Sequence, residues 1–428
     1  MNDSSDLLLR YCWFHALQDY PGPLIAKITD LYGLYLALNK NEHLATRKTH
    51  LKYGPVIRQG PNKLIFNSAK ALRDIYNDER LAKAQSYQAL VSGAKALNAV
   101  NERSMRRFEP VLRKQINIFL KRIFELSQSI ETQMNAINMI NRIKQLNFDI
   151  VSQLAFGYPL NSQADPKYGL GDILADFYYL KNLNLQFPCF QYLQPFFFAN
   201  IFNHCLLREY HELVTKMITS RISRDRDTVN DLYSIVAGKI DTKADGSLFF
   251  LPAGGDTVST GLSTLFFYFS TEIQGGQELT GCQYLRDCID EAVRLSPPVS
   301  GTLWRELSRD DEGTEPLIID GHIIPRGTQI GVNIYALHHN EEYFPEPFAF
   351  KPERWLFSED GPKASRQQVH DAFAALSLGA RGFTVAKTLW YFDFECAPGG
   401  LGEVGAAPAA VNSWYFDWDI GSGDLKVQ

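Results

Sequence analysis

The sequence lacks the features that mark a metal-built, secreted, nucleic-acid-binding or membrane-spanning chain. Its 6 Cys, namely Cys12, Cys189, Cys205, Cys282, Cys288 and Cys396, are scattered, with no pair at the close spacing that structural zinc or dithiol redox sites use. A reducing compartment fits that usage. The 9 His make no metal box either; the adjacent His338 and His339 would point to different sides of a helix or a strand. An excess of basic charge is missing, with 43 Lys and Arg against 48 Asp and Glu and a formal net charge of -5. Without a basic field, nucleic acid is not an expected partner. The opening stretch "MNDSSDLLLRYCWFHALQDYPGPLIAKI" holds only a short apolar patch, so neither a signal peptide nor a spanning helix is read there. Internal repeats and low-complexity tracts are absent.

What the chain does have is length and aromatic mass. Its 428 residues suffice for one large domain or two ordinary ones with a sizeable core. Aromatics at 13%, with 28 Phe and 20 Tyr, suit a thick apolar interior and leave room for apolar ligands.

Pro21-Gly22-Pro23 makes a rigid opening turn before a helical stretch expected over Ile25 to Tyr53. "GPVIRQGPNKLIFN" alternates apolar and polar residues between turn signals, which predicts a hairpin. From Ala69 to about Tyr233 the apolar spacing is mostly helical. A short β region is expected over 316–339, where Asp320-Gly321 is a hairpin turn. "FPEPFAFKPERWL" is Pro-punctuated coil, Val385 to Phe394 an apolar helical run, and the tail after Pro398 loose. The expected class is mainly α, an α-rich α+β fold with a small, mainly antiparallel β part.

Three stretches could carry chemistry. In "AGGDTVST" (253–260) two glycines sit inside a long apolar helix, each costing about 1 kcal/mol relative to Ala. Two readings stay open: close approach of a flat ligand, with Asp256 and Thr257 beside it for proton delivery, or a glycine-containing helix crossing with a capping Asp. "YLRDCIDEAVRLSPP" places Glu291 and Arg294 at i, i+3 on one helix face. Arg354 in "FKPERWL" could bring a second guanidinium to Glu291, in a network that fixes a coil against a helix. "PPVSGTLWREL" puts Arg305 on a strand, where it needs an anion if buried and a neighbouring carboxylate if not.

In the order Pro-Gly-Pro, "AGGDT", "EAVR", "PPVSGTLWRE", "FPEPFAFKPERW" and "SLGARG", these stretches resemble the haem-thiolate monooxygenases, the cytochrome P450 superfamily, particularly its fungal type. The resemblance runs from Tyr20 to about Gly402. It implies that fold, a haem cofactor, a small apolar substrate from secondary metabolism, a flavoprotein reductase as partner, and an endoplasmic reticulum membrane location. No anchor is visible in residues 1–20, which alone would suggest a cytoplasmic chain. Residues 21–402 would form the family's domain and 403–428 the tail.

Residue by residue, the resemblance implies that Asp256 and Thr257 assist oxygen activation, with Gly254 beside the haem. Glu291, Arg294 and Arg354 would form the structural network. Arg305 and Arg381 would contact haem propionates, with Gly379 in the turn that carries Arg381. The family's turn then runs directly into a Cys whose thiolate is the axial iron ligand. Here Phe383 follows Gly382, so no metal ligand is assigned. "TVAKTLWYFDFE" resembles the far end of the helix that should follow, and the segment between is missing rather than substituted. Similar joins occur at 91–110, before "AGGDT", and between Ser270 and Gln283. The alternatives to an active monooxygenase are a non-catalytic splice form, a gene model with coding segments omitted, and a degenerate binding protein on the same scaffold.

Overall fold

The computed structural model describes residues 15–84, 109–130, 137–165, 179, 182–187, 204–224, 250–271, 282–308, 313, 315–356, 363–374, 394–396 and 424–427. The stretch expected to be one helix from Ile25 to Tyr53 is three: α1 (Leu24–Ile28), α2 (Leu31–Leu38) and α3 (Glu42–Tyr53). Thr29 and Asn41 break it by leaving helical backbone.

The expected hairpin forms from β1 (Val56–Gly60) and β2 (Lys63–Phe66), with Ile57 opposite Ile65. Next come α4 (Ala69–Asn77), β3 (Leu81–Lys83), α5 (Glu109–Ile130), β4 (Ile137–Asn138), α6 (Met139–Phe156) and α7 (His204–Ile222). Strand β3 interrupts a region read as helical, because its three residues gain their hydrogen-bond partners from far down the chain. Ser68 caps α4 by accepting from the Ala71 N–H at 3.0 Å.

The long apolar helix is α8 (Phe250–Thr271), and the Glu–Arg helix is α9 (Cys282–Leu295). Then β5 (Arg305–Leu307), β6 (Leu317–Ile319), β7 (His322–Ile324) and β8 (Gln329–Val332) lead to α10 (Ile334–His338). The β6–β7 turn is carried by Asp320 and Gly321 at φ 49° and 82°, a two-residue turn that needs left-handed backbone at both positions. The expected β region therefore ends at Val332, where Asn333 caps α10 by accepting from the Ala336 N–H.

A 3₁₀ turn (Pro352–Trp355), α11 (Lys363–Ala372), β9 (Phe394–Cys396) and β10 (Asp424–Val427) complete the described elements. Phe394, expected to close a helix, lies in β9. The end of the tail, expected to be loose, is strand β10, which pairs with both β9 and β4.

One sheet runs β1-β2-β8-β5-β3, antiparallel except where β2 meets β8. Two cores flank it. Phe119, Ile123, Leu146, Ile150, Leu265, Phe266 and Val293 join α5, α6, α8 and α9. Leu64, Phe66, Ile75, Ile330, Val332, Trp355 and Val369 join the sheet to α4 and α11. Each such side chain contributes roughly 1.5–3 kcal/mol on burial. The predominance of helix with a small sheet matches the expected class, and α9 packs against α10.

Candidate functional site

Helix α9 turns Glu291 and Arg294 inward, and both side chains are fully buried. Arg294 Nη2 donates to Glu291 Oε1 and its Nε to Oε2, both at 2.9 Å, a bidentate pairing across one helical turn. Arg354, from the 3₁₀ turn, donates Nε to Oε1 at 3.0 Å. Sequence reasoning did not foresee two further donors, the Trp355 Nε1–H to Oε2 and the Lys351 backbone N–H to Oε1, each at 3.0 Å. The quoted "KPERW" carried the signal, since a buried indole N–H seeks an acceptor. Arg294 Nη1 also donates to the carbonyls of His338 and Pro347, at 2.8 and 2.9 Å. The network thus ties α9, α10 and the 344–355 coil together.

Through His338 the network reaches Ala374, the last described residue before the "SLGARG" stretch. The imidazole Nε2 accepts from the Ala374 N–H at 3.0 Å, so Nδ1 carries the ring proton and donates to the Arg294 carbonyl at 3.2 Å. Burial, reinforced by the Arg294 charge, lowers the His338 pKa to about 3 and keeps the ring neutral. Phe373 stacks on His338 at 5.4 Å and meets Trp355 edge-on at 4.7 Å. Gly379 and Arg381 lie outside the described residues.

On α8, Gly255 serves a helix crossing: a Cβ there would lie 2.7 Å from the Phe148 ring of α6. Beside it, Ser259 donates to the Gly255 carbonyl at 2.6 Å and accepts from Asn147 Nδ2 at 2.9 Å. Of the two glycines, Gly255 therefore takes the helix-crossing reading. Gly254 and Asp256 are placed on α8 by their backbone, and the Asp256 side chain lies outside the described residues. Thr257 is half-buried one position further.

Arg305 lies on β5, half-buried. Its guanidinium sits 5.5 Å over the Tyr76 ring, whose hydroxyl donates to the Leu303 carbonyl at 2.6 Å and accepts from the Val332 N–H at 3.2 Å. Among the described residues Arg305 forms no ion pair. The residue directly opposite on β3 is another cation, Lys83.

These residues fit the acid groups of a haem and do not fit its iron. Arg305 offers a fixed cation with no carboxylate of its own. A thiolate is a different matter: Cys288 is buried on α9, its thiol pushed up to about 12 by burial and by the nearby carboxylates of Glu353, Asp287 and Glu291. Cys396 lies on β9, with its side chain outside the described residues. Among the described residues no group of three or more His, Cys, Asp or Glu could hold a metal ion.

A family model described as cytochrome P450 matches residues 276–382. The cytochrome P450 monooxygenase poxM of Penicillium oxalicum is 29% identical over 452 residues, covering 90% of this chain and 86% of its own length. The cytochrome P450 monooxygenase AKT7 of Alternaria alternata is 27% identical over 477 residues, covering 94% and 89%. Among solved structures, a cytochrome P450 crystal structure superposes with a TM-score of 0.59 at 16% identity, over 83% of this chain and 89% of that one.

Proposed function

The chain belongs to the cytochrome P450 superfamily, and from that premise we propose that it is a haem-binding member of a monooxygenase lineage that lacks the thiolate the reaction needs. The family reaction would insert one oxygen atom from O₂ into a small apolar metabolite, with electrons from a flavoprotein reductase. The observation that carries the proposal is where the family match stops: at Gly382, with Phe383 rather than a cysteine next.

The lengths support omission of whole segments. The match to the Penicillium protein extends over 452 residues yet takes up 90% of this 428-residue chain, roughly 385 residues. The relative therefore carries tens of residues without counterparts here. Segment omission, by splicing or in the gene model, explains such gaps better than gradual decay, because motifs on both sides of the joins are intact.

When bound, a thiolate-ligated haem supplies oxygen activation, the thiolate favouring O–O cleavage. The residues of this chain would do the rest. Arg305 and Arg381 would hold the propionates, with Gly379 shaping the turn that presents Arg381. Asp256 and Thr257 would deliver protons from α8, with Gly254 leaving room beside them. Glu291, Arg294 and Arg354 would position the coil and the chain entering the 375–382 segment, without touching the reacting atoms.

A membrane surface is the proposed location. Leu24, 79% exposed, stands with Ile25, Ile28, Leu31, Tyr35 and Leu38 as exposed apolar side chains of α1 and α2. Among the described residues no helix is long and apolar enough to cross a membrane.

The test is spectroscopic. Haem-loaded, dithionite-reduced chain treated with CO should not give the Soret band characteristic of thiolate ligation. Appearance of that band would overturn the proposal and direct attention to Cys396. The genomic sequence offers a second check: the omission account expects an open frame encoding a Cys-containing loop after the Gly382 codon, and its absence would refute that account.

A further inference from the structure

Residues 182–187 are held to the rest of the chain by two apolar contacts and one polar joint. Leu183 packs with Ala37 of α2, and Leu185 with Ile57, Ile65 and Trp304. At the joint, Gln186 Nε2 donates to Glu42 Oε1 of α3 at 2.8 Å, and the Gln186 carbonyl accepts from Lys63 Nζ of β2 at 2.9 Å. Charge there does not balance. Asp30, just before α2, already pairs with Lys63 at 3.0 Å, so an ionised Glu42 would be a surplus negative charge in a buried place. Its Oε2 is buried and has no hydrogen-bond partner among the described residues, which disfavours the carboxylate further.

The neighbouring elements do not supply the missing cation. Residues 182–187 carry no charge, and α2 brings only the phenols of Tyr32 and Tyr35. On β1, the Arg58 guanidinium is turned to the carbonyls of Leu17, Lys27 and Pro61. On α10, Tyr335 stands against His43, while burial keeps His338 and His339 neutral. On α3 itself, burial keeps His43 and His50 neutral, Arg47 lies over the Phe348 ring, and Lys48 and Lys52 are exposed. Desolvation therefore outweighs the attraction of Lys63, and the Glu42 pKa rises to about 7.

We propose that Glu42 is the catch of a pH-sensitive latch: its neutral carboxyl holds residues 182–187 down on α3 and β2, and loss of its proton to solvent releases them. The latch does not depend on haem binding. Once released and hydrated, Glu42 returns to its ordinary value of 4.5. The docked state thus binds the proton more tightly, so docking is strongest below about 4.5 and weakens as pH rises through 7, by up to tenfold per pH unit in between.

The experiment is hydrogen exchange of the full chain, read by mass spectrometry on peptides covering 182–187 and α9, with each rate divided by the intrinsic rate at the same pH. The Phe187 N–H, which donates to the Leu183 carbonyl, lies within the first peptide. Its protection should fall roughly tenfold to a hundredfold from pH 5 to pH 8. Dilute urea should leave exchange of 182–187 nearly unchanged while speeding that of α9, the mark of a local opening. Glu42→Gln, which cannot ionise, should hold its protection at both pH values. Lys63→Met, lacking the cation that favours the carboxylate, should move the fall to higher pH. Protection of 182–187 that does not change with pH, or that responds to urea as α9 does, would overturn the latch. A fall persisting unchanged in Glu42→Gln, or one that stays in place or moves to lower pH in Lys63→Met, would overturn the assignment of the proton to Glu42.

Discussion

The backbone N–H of Ala374 donates to Nε2 of His338 at 3.0 Å, and the carbonyl of the same histidine accepts from Arg294 at 2.8 Å. Ala374 is therefore tied, through His338 and the Arg294 guanidinium, to the buried Glu291 carboxylate on α9. Glu291 holds that arrangement by accepting five donors, from Arg294 twice and from Arg354, Trp355 and Lys351.

Replacing Glu291 by Gln should be severe, because it leaves Arg294 charged and fully buried with its partner gone. Breaking a buried pair from one side costs about 3–5 kcal/mol. Chemical denaturation should show a loss of that order. Glu353→Gln, at an exposed residue whose carboxylate accepts, among the described residues, only the Tyr284 hydroxyl, should change stability little. Similar losses in the two variants would contradict the network's role.

Glu42 should make stability fall with rising pH. It is buried on α3 and accepts from Gln186 Nε2 at 2.8 Å, while Lys63 pairs with Asp30 at 3.0 Å and donates to the Gln186 carbonyl. Burial, only partly offset by Lys63 and the amides of Asn182 and Gln186, raises its pKa from 4.5 to about 7. Between those values the folded state keeps a proton that the unfolded chain has released, so stability is present below about 4.5 and is lost as pH rises through 7. Glu42→Gln avoids that loss and keeps an acceptor for Gln186. Its stability relative to wild type should be near equal at about pH 4.5 and should rise to about pH 8, by a few kcal/mol at most, each tenfold difference in proton affinity being worth about 1.4 kcal/mol. His43 and His50, lowered to about 3 and 4 by burial, act oppositely below about pH 6.5 and cancel in this comparison. A pH-independent difference would refute the assignment.

Gly255→Ala should destabilise although alanine is the better helix former by about 1 kcal/mol. The new methyl would meet the Phe148 ring at 2.7 Å, and overpacking of that kind costs about 1–3 kcal/mol. Combining it with Phe148→Leu should cost less than the sum of the single changes, since the two sites share one contact. Additive thermal unfolding losses would mean that the glycine is there for another reason.

Much of the fold was legible because its signals are local. Asp320-Gly321 announces its turn through two residues able to take positive φ, and the helical periodicity of "YLRDCIDEAVRL" places Glu291 and Arg294 on one face. Errors arose where long-range pairing decides conformation. Leu81–Lys83 is a strand because β5 lies beside it, over two hundred residues away. Phe394–Cys396 is a strand because β10 supplies its hydrogen bonds.

The sequence by itself determined the family resemblance, the helix carrying Glu291 and Arg294, and the passage from Gly382 straight to Phe383, because each depends on residue identity and order. Tertiary structure alone decided that Trp355 and Lys351 complete the Glu291 network, that Gly255 faces Phe148, and that Lys83 opposes Arg305. Those relationships join residues distant in sequence, and burial and strand register, which bring them together, follow from the packing of the whole chain.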